Sequence, residues 1–358
     1  MTHGGNLRAV ALHYGVDEKT LIDFSANLNV AGPPSSVVDA LQSMLSAPEL
    51  LRAYPDPDAT LLRRDLAVMH GISDDAVVVG AGASALLDVA IRATQAEHCI
   101  IAVPCFSEYR RSAQAAGMAI EAIPYAHDFT LQKERMIHAI QRSIESVVVI
   151  ANPANPSGLG LSRTTVLDIL RVCESRRTHL IVDEAFIDFI PGSSVLDVAA
   201  THPYLSVVRS LTKCYGMAGI RIGYAVALPE RVESMRKCAL SWPVGTLESL
   251  AGRAALGDDA FKSAFVMMTD VNRASLARGL REFGFIIYDS QANFLLCEVP
   301  GSDEALNRLL RNLVIEHGIV VRDCRNFEGI EDRRLIRVAV RSSEENDCLI
   351  QALTRCFA

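Results

Sequence analysis

The chain has 358 residues, half of them apolar and 22% charged, which excludes a mainly disordered protein and leads us to expect about two domains. Its net charge of −7, from 35 basic and 42 acidic residues, leaves no footprint for nucleic acid or for an anionic membrane. The 9 cysteines include no CxxC pair, so they read as small core residues of a reducing compartment, with neither a metal site nor a disulfide framework.

The opening MTHGGNLRAV lacks a basic head and apolar signal core, and no apolar run reaches the roughly 18 residues of a membrane span, so a cytoplasmic location is expected. Residues 1–44, with Pro33-Pro34 and no strong strand, read as an N-terminal arm that returns to a second, C-terminal unit. From about residue 75, β-rich runs alternate with helical stretches: VVVG (77–80), CIIAV (99–103), IEAIP (120–124), VVVIA (147–151), HLIVD (179–183), LSVVRS (205–210) and IGYAVA (222–227). Between them lie amphipathic segments such as Ser84–Gln95 and Ser162–Ser175, the second with Ser162 as N-cap. Runs that are apolar throughout suit strands covered on both faces. They predict an α/β large domain over 45–245, a mostly parallel sheet wrapped by helices. Past Trp242-Pro243, long helices over about 246–283, strands FIIY (285–288), NFLLCEV (293–299), IVVR (319–322) and LIRVAV (335–340), and a helix near 303–317 predict a smaller α+β domain over 246–358.

Ligands of such sheets bind beyond the carboxyl ends of the strands. After VVVG, the residues Gly80, Gly82 and Ala85 match GxGxxA, but a dinucleotide site needs an acidic residue after the next strand, where Pro104-Cys105-Phe106 stands. Gly82, Ala83 and Ser84 instead suit a phosphate cradle at a helix N-terminus, the plain alternative being an ordinary tight turn. After VVVIA, prolines 153 and 156 stiffen a turn that aims Asn155. HLIVD ends in Asp183, a carboxylate at an apolar strand tip that must find a partner or cap a helix. LSVVRS runs into Ser210 and Lys213, with Arg221 shortly beyond. Together these meet the needs of pyridoxal 5′-phosphate: Lys213 for a Schiff base, Asp183 for the pyridinium nitrogen, Asn155 for the ring hydroxylate, and Ser84, Ser210 and Arg221 for the phosphate. Phe106 is placed to stack on the ring, or is plain core.

With NPANPSG, VDEAFIDF, SLTKCYGMAGIRIGY and IRVAV in order, the chain resembles, over essentially its whole length, the fold-type I pyridoxal-phosphate family, in the branch of histidinol-phosphate aminotransferases and threonine-phosphate decarboxylases. The resemblance implies that Tyr54 of RAYPDPDA reaches the cofactor phosphate of a neighbouring subunit in a homodimer, and that Arg337 of IRVAV binds the substrate α-carboxylate. Within the branch, the segments His3–Asn6, Asp23–Asn29, DEAFIDF and Arg322–Phe327 look more like the decarboxylases, which make aminopropanol phosphate for the nucleotide loop of cobalamin. Phe186 stands where the aminotransferases usually carry tyrosine, while Val30 and Arg325 depart from the decarboxylase pattern, which has proline and a small or polar residue there. The expectation is decarboxylation of L-threonine O-3-phosphate or O-phosphoserine. Its alternatives are a histidinol-phosphate-type aminotransferase and a non-catalytic ligand-binding module, against which the retained Lys213 argues. A substrate phosphate needs a basic pocket of its own, and its candidates are His3, Asn6, Asn29 and Arg322, beside Arg337.

Overall fold

A computed structural model describes residues 4–47 and 52–357. The N-terminal segment carries α1 (Leu7–Tyr14), β1 (Ile22–Asp23), α2 (Ser35–Leu45) and α3 (Thr60–His70). The alternating region follows as β2 (Val77–Gly80), α4 (Ala83–Ala93), β3 (His98–Val103), α5 (Ser107–Ala115), β4 (Ala119–Pro124), α6 (Lys133–Arg142), β5 (Val147–Ala151), α7 (Arg163–Ser175), β6 (His179–Asp183), α8 (Leu196–Ala199), β7 (Leu205–Ser210), β8 (Gly223–Ala227) and α9 (Pro229–Cys238). The C-terminal region comprises α10 (Thr246–Leu256), α11 (Asp259–Glu282), β9 (Ile286–Ile287), β10 (Phe294–Glu298), α12 (Asp303–His317), β11 (Ile319–Val320), β12 (Arg322–Asp323), β13 (Leu335–Ala339) and α13 (Ser343–Phe357).

Seven strands form one sheet in the order β2-β8-β7-β6-β5-β3-β4, in which β8 alone runs antiparallel to its neighbours. The uninterrupted apolar runs have a direct cause: successive residues enter two different cores. Val148, Ile150, Leu180, Val182 and Val207 pack on one face, and Val147, Val149, Ile181 and Val208 on the other. Since β2, β3, β5, β6 and β7 point the same way, Gly80, Val103, Ala151, Asp183 and Ser210 all end at one edge of the sheet. Helix α7 begins where the sequence predicts, with Ser162 accepting from the Thr165 amide.

A four-stranded antiparallel sheet, β12-β13-β10-β9, forms the smaller layer, and β1 pairs in parallel with β11. Two details differ from the sequence reading. The run 319–322 is not one strand: Ile319–Val320 pairs with Ile22–Asp23, and after Val321 the chain passes to the other sheet, where Arg322–Asp323 pairs with β13. In addition, Val37 of α2 and Ala251 and Ala255 of α10 lie in the same core as Leu62 and Val77. The lines drawn at 44 and 245 therefore cut off helices whose buried faces pack with the large sheet. Alanine-rich α10 permits that close approach, and the smaller core joins Leu276 and Leu280 of α11 to Phe24 of the N-terminal segment.

Candidate active site

A cavity of ≈ 520 Å³ opens at the edge where the parallel strands end. Its first wall is the turn from β2 into α4. Gly82 has φ +84, and a Cβ there would stand 2.8 Å from Nη2 of Arg221, so only glycine lets the guanidinium lie against the turn. Ala83 and Ser84 open α4, whose first amides have no intrahelical acceptor. Across from them, the Ser210 and Thr212 hydroxyls are 2.8 Å apart, and Arg221 donates to the Ala218 carbonyl at 3.1 Å. The result is a cradle of amides, hydroxyls and one guanidinium, suited to a phosphate.

Asp183, buried at the end of β6, accepts the Tyr109 hydroxyl at 2.6 Å on Oδ2 and the Ala185 amide at 3.0 Å on Oδ1. Burial raises its pKa, and the Tyr109 and Ala185 hydrogen bonds together with the charge on Lys213 offset part of that rise. Burial and the neighbouring Asp183 push the Tyr109 phenol well above its usual range, so it remains a donor. Lys213 moves the other way: burial, then Arg337 and Arg221, pull its amine down to about 8 against the opposing pull of Asp183. Its Nζ lies 5.6 Å from the centroid of the Phe186 ring. Asn29 braces the lysine loop, donating its amide to the Lys213 carbonyl at 3.1 Å and its side-chain Nδ2 to the Cys214 carbonyl at 2.8 Å.

The far wall comes from the smaller sheet. Arg322 and Arg337 are direct cross-strand partners, only 5% and 6% exposed, and both line the cavity. Arg337 donates to Asn155 Oδ1 at 2.5 Å and to the Ser25 carbonyl at 2.8 Å. Arg322 donates to Asn326 Oδ1 and to the Asp323 carbonyl, both at 2.7 Å, and lies over the Phe327 ring. Burial and the adjoining Arg322 charge lower Arg337 to about 10.

The cavity thus brings together Ala83, Ser84, Phe106, Asn155, Asp183, Ser210, Lys213, Arg221, Arg322 and Arg337. Other expected residues lie elsewhere. Asn6 is the N-cap of α1 and accepts from the Ala9 amide at 3.0 Å, while its neighbours Gly4 and Gly5 line the cavity. Asn29 is spent on the lysine loop, and His3 lies outside the described residues. Tyr54, 81% exposed, stacks on Trp242 with ring centroids 4.7 Å apart, outside the lining of this chain's own cavity.

Sequence reasoning missed Tyr109, although its spacing of three from Phe106 was a usable signal: residues so placed meet on one helix face, and the two rings pack edge to face. It also passed over Asn27, whose buried Oδ1 has no hydrogen-bond partner among the described residues and which lines the cavity. Only the NxN spacing with Asn29 marked it.

A lysine, a buried carboxylate and an anion cradle at the strand ends of this sheet define a pyridoxal-phosphate enzyme of fold type I. The chain belongs to the aminotransferase class I and II family, whose model matches residues 19–353. It is 32% identical to a threonine-phosphate decarboxylase of Salmonella typhimurium over 98% of this chain and 95% of the relative. It is also 32% identical to a histidinol-phosphate aminotransferase of Roseiflexus castenholzii, over 97% of this chain and 92% of the relative. The solved histidinol-phosphate aminotransferase of Sinorhizobium meliloti, in complex with pyridoxal-5′-phosphate, superposes with a TM-score of 0.89 at 22% identity, covering 99% of this chain and 94% of that one, and shows the shared fold.

Pyridoxal 5′-phosphate is the cofactor of this family, and the cavity fits it. Gly82 lets the Arg221 guanidinium lie against the first turn of α4, and buried Asp183 and half-buried Lys213 line the same cavity as Ala83, Ser84 and Arg221.

Proposed function

We propose that the protein removes CO2 from L-threonine O-3-phosphate, or from O-phosphoserine, leaving aminopropanol phosphate or ethanolamine phosphate, and that the former product serves the nucleotide loop of cobalamin. The carrying observation is the pairing of Arg322 with Arg337 across β12 and β13. Like charges directly opposite on a sheet repel, and burying both costs more still. A ligand with two anionic groups offsets that cost. O-Phosphothreonine brings a carboxylate and a phosphate in one molecule; histidinol phosphate brings only the phosphate, and in transamination the carboxylates come with the amino donor, a separate substrate.

The cofactor, when bound, supplies an aldehyde for the amino group and an electron sink for the bond that breaks. Asp183 holds a proton on the ring nitrogen as its counter-ion, and the Tyr109 and Ala185 donors fix the direction of that carboxylate. Asn155 accepts from the Arg337 guanidinium on Oδ1, and its Nδ2 would donate to the ring hydroxylate of the bound cofactor. Phe186 gives Lys213 an apolar floor without a hydroxyl. Arg337 takes the carboxylate and Arg322, with Asn326, the phosphate. A substrate held at both anionic ends has little freedom to turn about its Cα, and that orientation decides which bond is cleaved. The Cα–carboxylate bond breaks, its electron pair stays on Cα, and a proton carried by Lys213 takes the place of CO2.

The equal identity to the Roseiflexus aminotransferase supports a second reading, transamination of histidinol phosphate. We further propose a cytoplasmic homodimer in which Tyr54 of one subunit reaches the cofactor phosphate of the other. Its exposure and its stacking on Trp242 support that role.

Substitution of Arg322 tests the substrate assignment. Arg322→Ala should raise KM for O-phosphothreonine at least about 10-fold, the factor that ~1.4 kcal/mol commands, and leave unphosphorylated threonine nearly unaffected. Equal losses for both substrates would make Arg322 structural.

A further inference from the structure

Away from the two buried arginines, the cavity has a third charged contact that the chemistry above does not use. Arg110, on α5, donates its Nε and Nη2 to the two carboxylate oxygens of Glu328, at 2.8 and 2.6 Å. Both residues line the cavity, and their side chains are 33% and 41% exposed. They join different bodies of the fold. Helix α5 starts beyond β3 of the large sheet and carries Tyr109, with Phe106 at its N-cap. Glu328 belongs to the loop between β12 and β13, which carries Asn326 and Phe327 beside Arg322. That loop is held to its own sheet by the Cys324 amide on the Leu335 carbonyl and by a turn from Phe327 to Cys324. Phe129, from the segment between β4 and α6, packs with Cys324, Phe327 and Ile330 at the base of the loop, and at the cavity rim the Arg110–Glu328 pair ties the loop to the opposite wall.

We propose that Arg110 and Glu328 are a positioning clasp that sets the substrate end of the cavity, with Arg322 and Asn326, at a fixed distance from the cofactor end, with Phe106 and Asp183. The assignment of the two ends rests on the function proposed above. The clasp itself rests only on the contact. The reaction proposed above assigns neither residue a contact with the reacting atoms. A two-pronged guanidinium–carboxylate contact fixes direction as well as distance, so it holds the loop in one place. Because the pair is half in solvent, salt screens it, and the hold on the loop weakens as ionic strength rises.

The test compares the cofactor-loaded wild type with Glu328→Gln, Arg110→Gln, Glu328→Arg and the exchange Arg110→Glu/Glu328→Arg. Two measurements are made. The first is deuterium uptake by the amides of residues 324–330 without substrate, at low and high sodium chloride. Uptake should rise in the three single variants, most in Glu328→Arg where like charges meet, and fall back in the exchange. In the wild type it should rise with salt. The second is steady-state turnover of O-phosphothreonine: KM should increase about 5-fold in the neutral variants, the upper range for a half-exposed ion pair, with kcat within about 2-fold, and the exchange should restore it. A merely structural pair would leave that split between KM and kcat unmoved.

Unchanged uptake in all variants overturns the clasp. Increased uptake with unaltered KM overturns its role in placing the substrate end. Absence of any turnover of O-phosphothreonine in the wild type counts against the proposed substrate, while the uptake series still decides the clasp.

Discussion

Tyr109 and Asp183 show how one side chain sets the chemistry of another. A carboxylate buried this deeply would by itself tend to hold its proton. The Tyr109 hydroxyl at 2.6 Å opposes that tendency by binding the ionised form. The sign of the effect of Tyr109→Phe follows directly. Loss of the donor raises the Asp183 pKa further, so the acidic limb of the rate profile moves to higher pH. A hydrogen bond to a charged group contributes about 1.5–3 kcal/mol, and kcat should fall on the order of 10-fold. The pH profile of kcat for the variant is the check, and a profile identical to the wild type would remove Tyr109 from the site. Single residues were unevenly legible in the sequence. Lys213, Asp183 and Asn155 stand at strand ends, where position alone marks them. Asn6 and Asn29 belong to residue types that serve equally as caps and turn braces, and nothing in the local sequence distinguishes a capping asparagine from a ligand. Tyr109 is an apolar-looking position on a helix until its hydroxyl meets a carboxylate 74 positions away.

Among the elements, the turn between β2 and α4 is the most constrained. Gly82 combines a left-handed φ with a Cβ direction blocked by Arg221. Gly82→Ala therefore strains the backbone and moves the guanidinium out of the cradle, at a cost of about 1–3 kcal/mol. Affinity of the apoenzyme for pyridoxal 5′-phosphate should fall about 10-fold or more, measured by absorbance or fluorescence titration, while thermal unfolding of the apoprotein shifts by only a few degrees. Unchanged affinity would place the phosphate elsewhere. The strands of the large sheet were legible because their apolar runs are continuous, each residue serving one of two cores. The split of 319–322 was not, because an apolar run reads as one strand whether or not its partner changes. That unmarked change of partner places Arg322 opposite Arg337.

For the whole molecule, the site is a product of assembly. One wall comes from the strand ends of the large sheet, the other from the smaller sheet, and residues 22–29 run between them, with Phe24 receiving the Ala339 amide and Asn29 holding the lysine loop. Fold class and cofactor chemistry follow from local strand-end patterns, which the sequence displays in order. The division into units was less legible: α2 and α10 pack together against the large sheet from either side of it in the sequence, a contact between distant segments with no local signature. In the function proposed here, the choice between losing CO2 and exchanging an amino group likewise depends on how Arg322 and Arg337, neighbours across β12 and β13, face the cavity.

The account's central claim is tested most directly by separating those two outcomes on the purified, cofactor-loaded protein. O-Phosphothreonine, O-phosphoserine and histidinol phosphate are each incubated with it, with and without a 2-oxo acid acceptor, while CO2, amine and new amino acid are measured separately. The account predicts CO2 and aminopropanol phosphate in equal amounts from O-phosphothreonine without any acceptor, and no turnover in Lys213→Ala. Acceptor-dependent conversion of histidinol phosphate, with no CO2 from either phosphorylated amino acid, would contradict it.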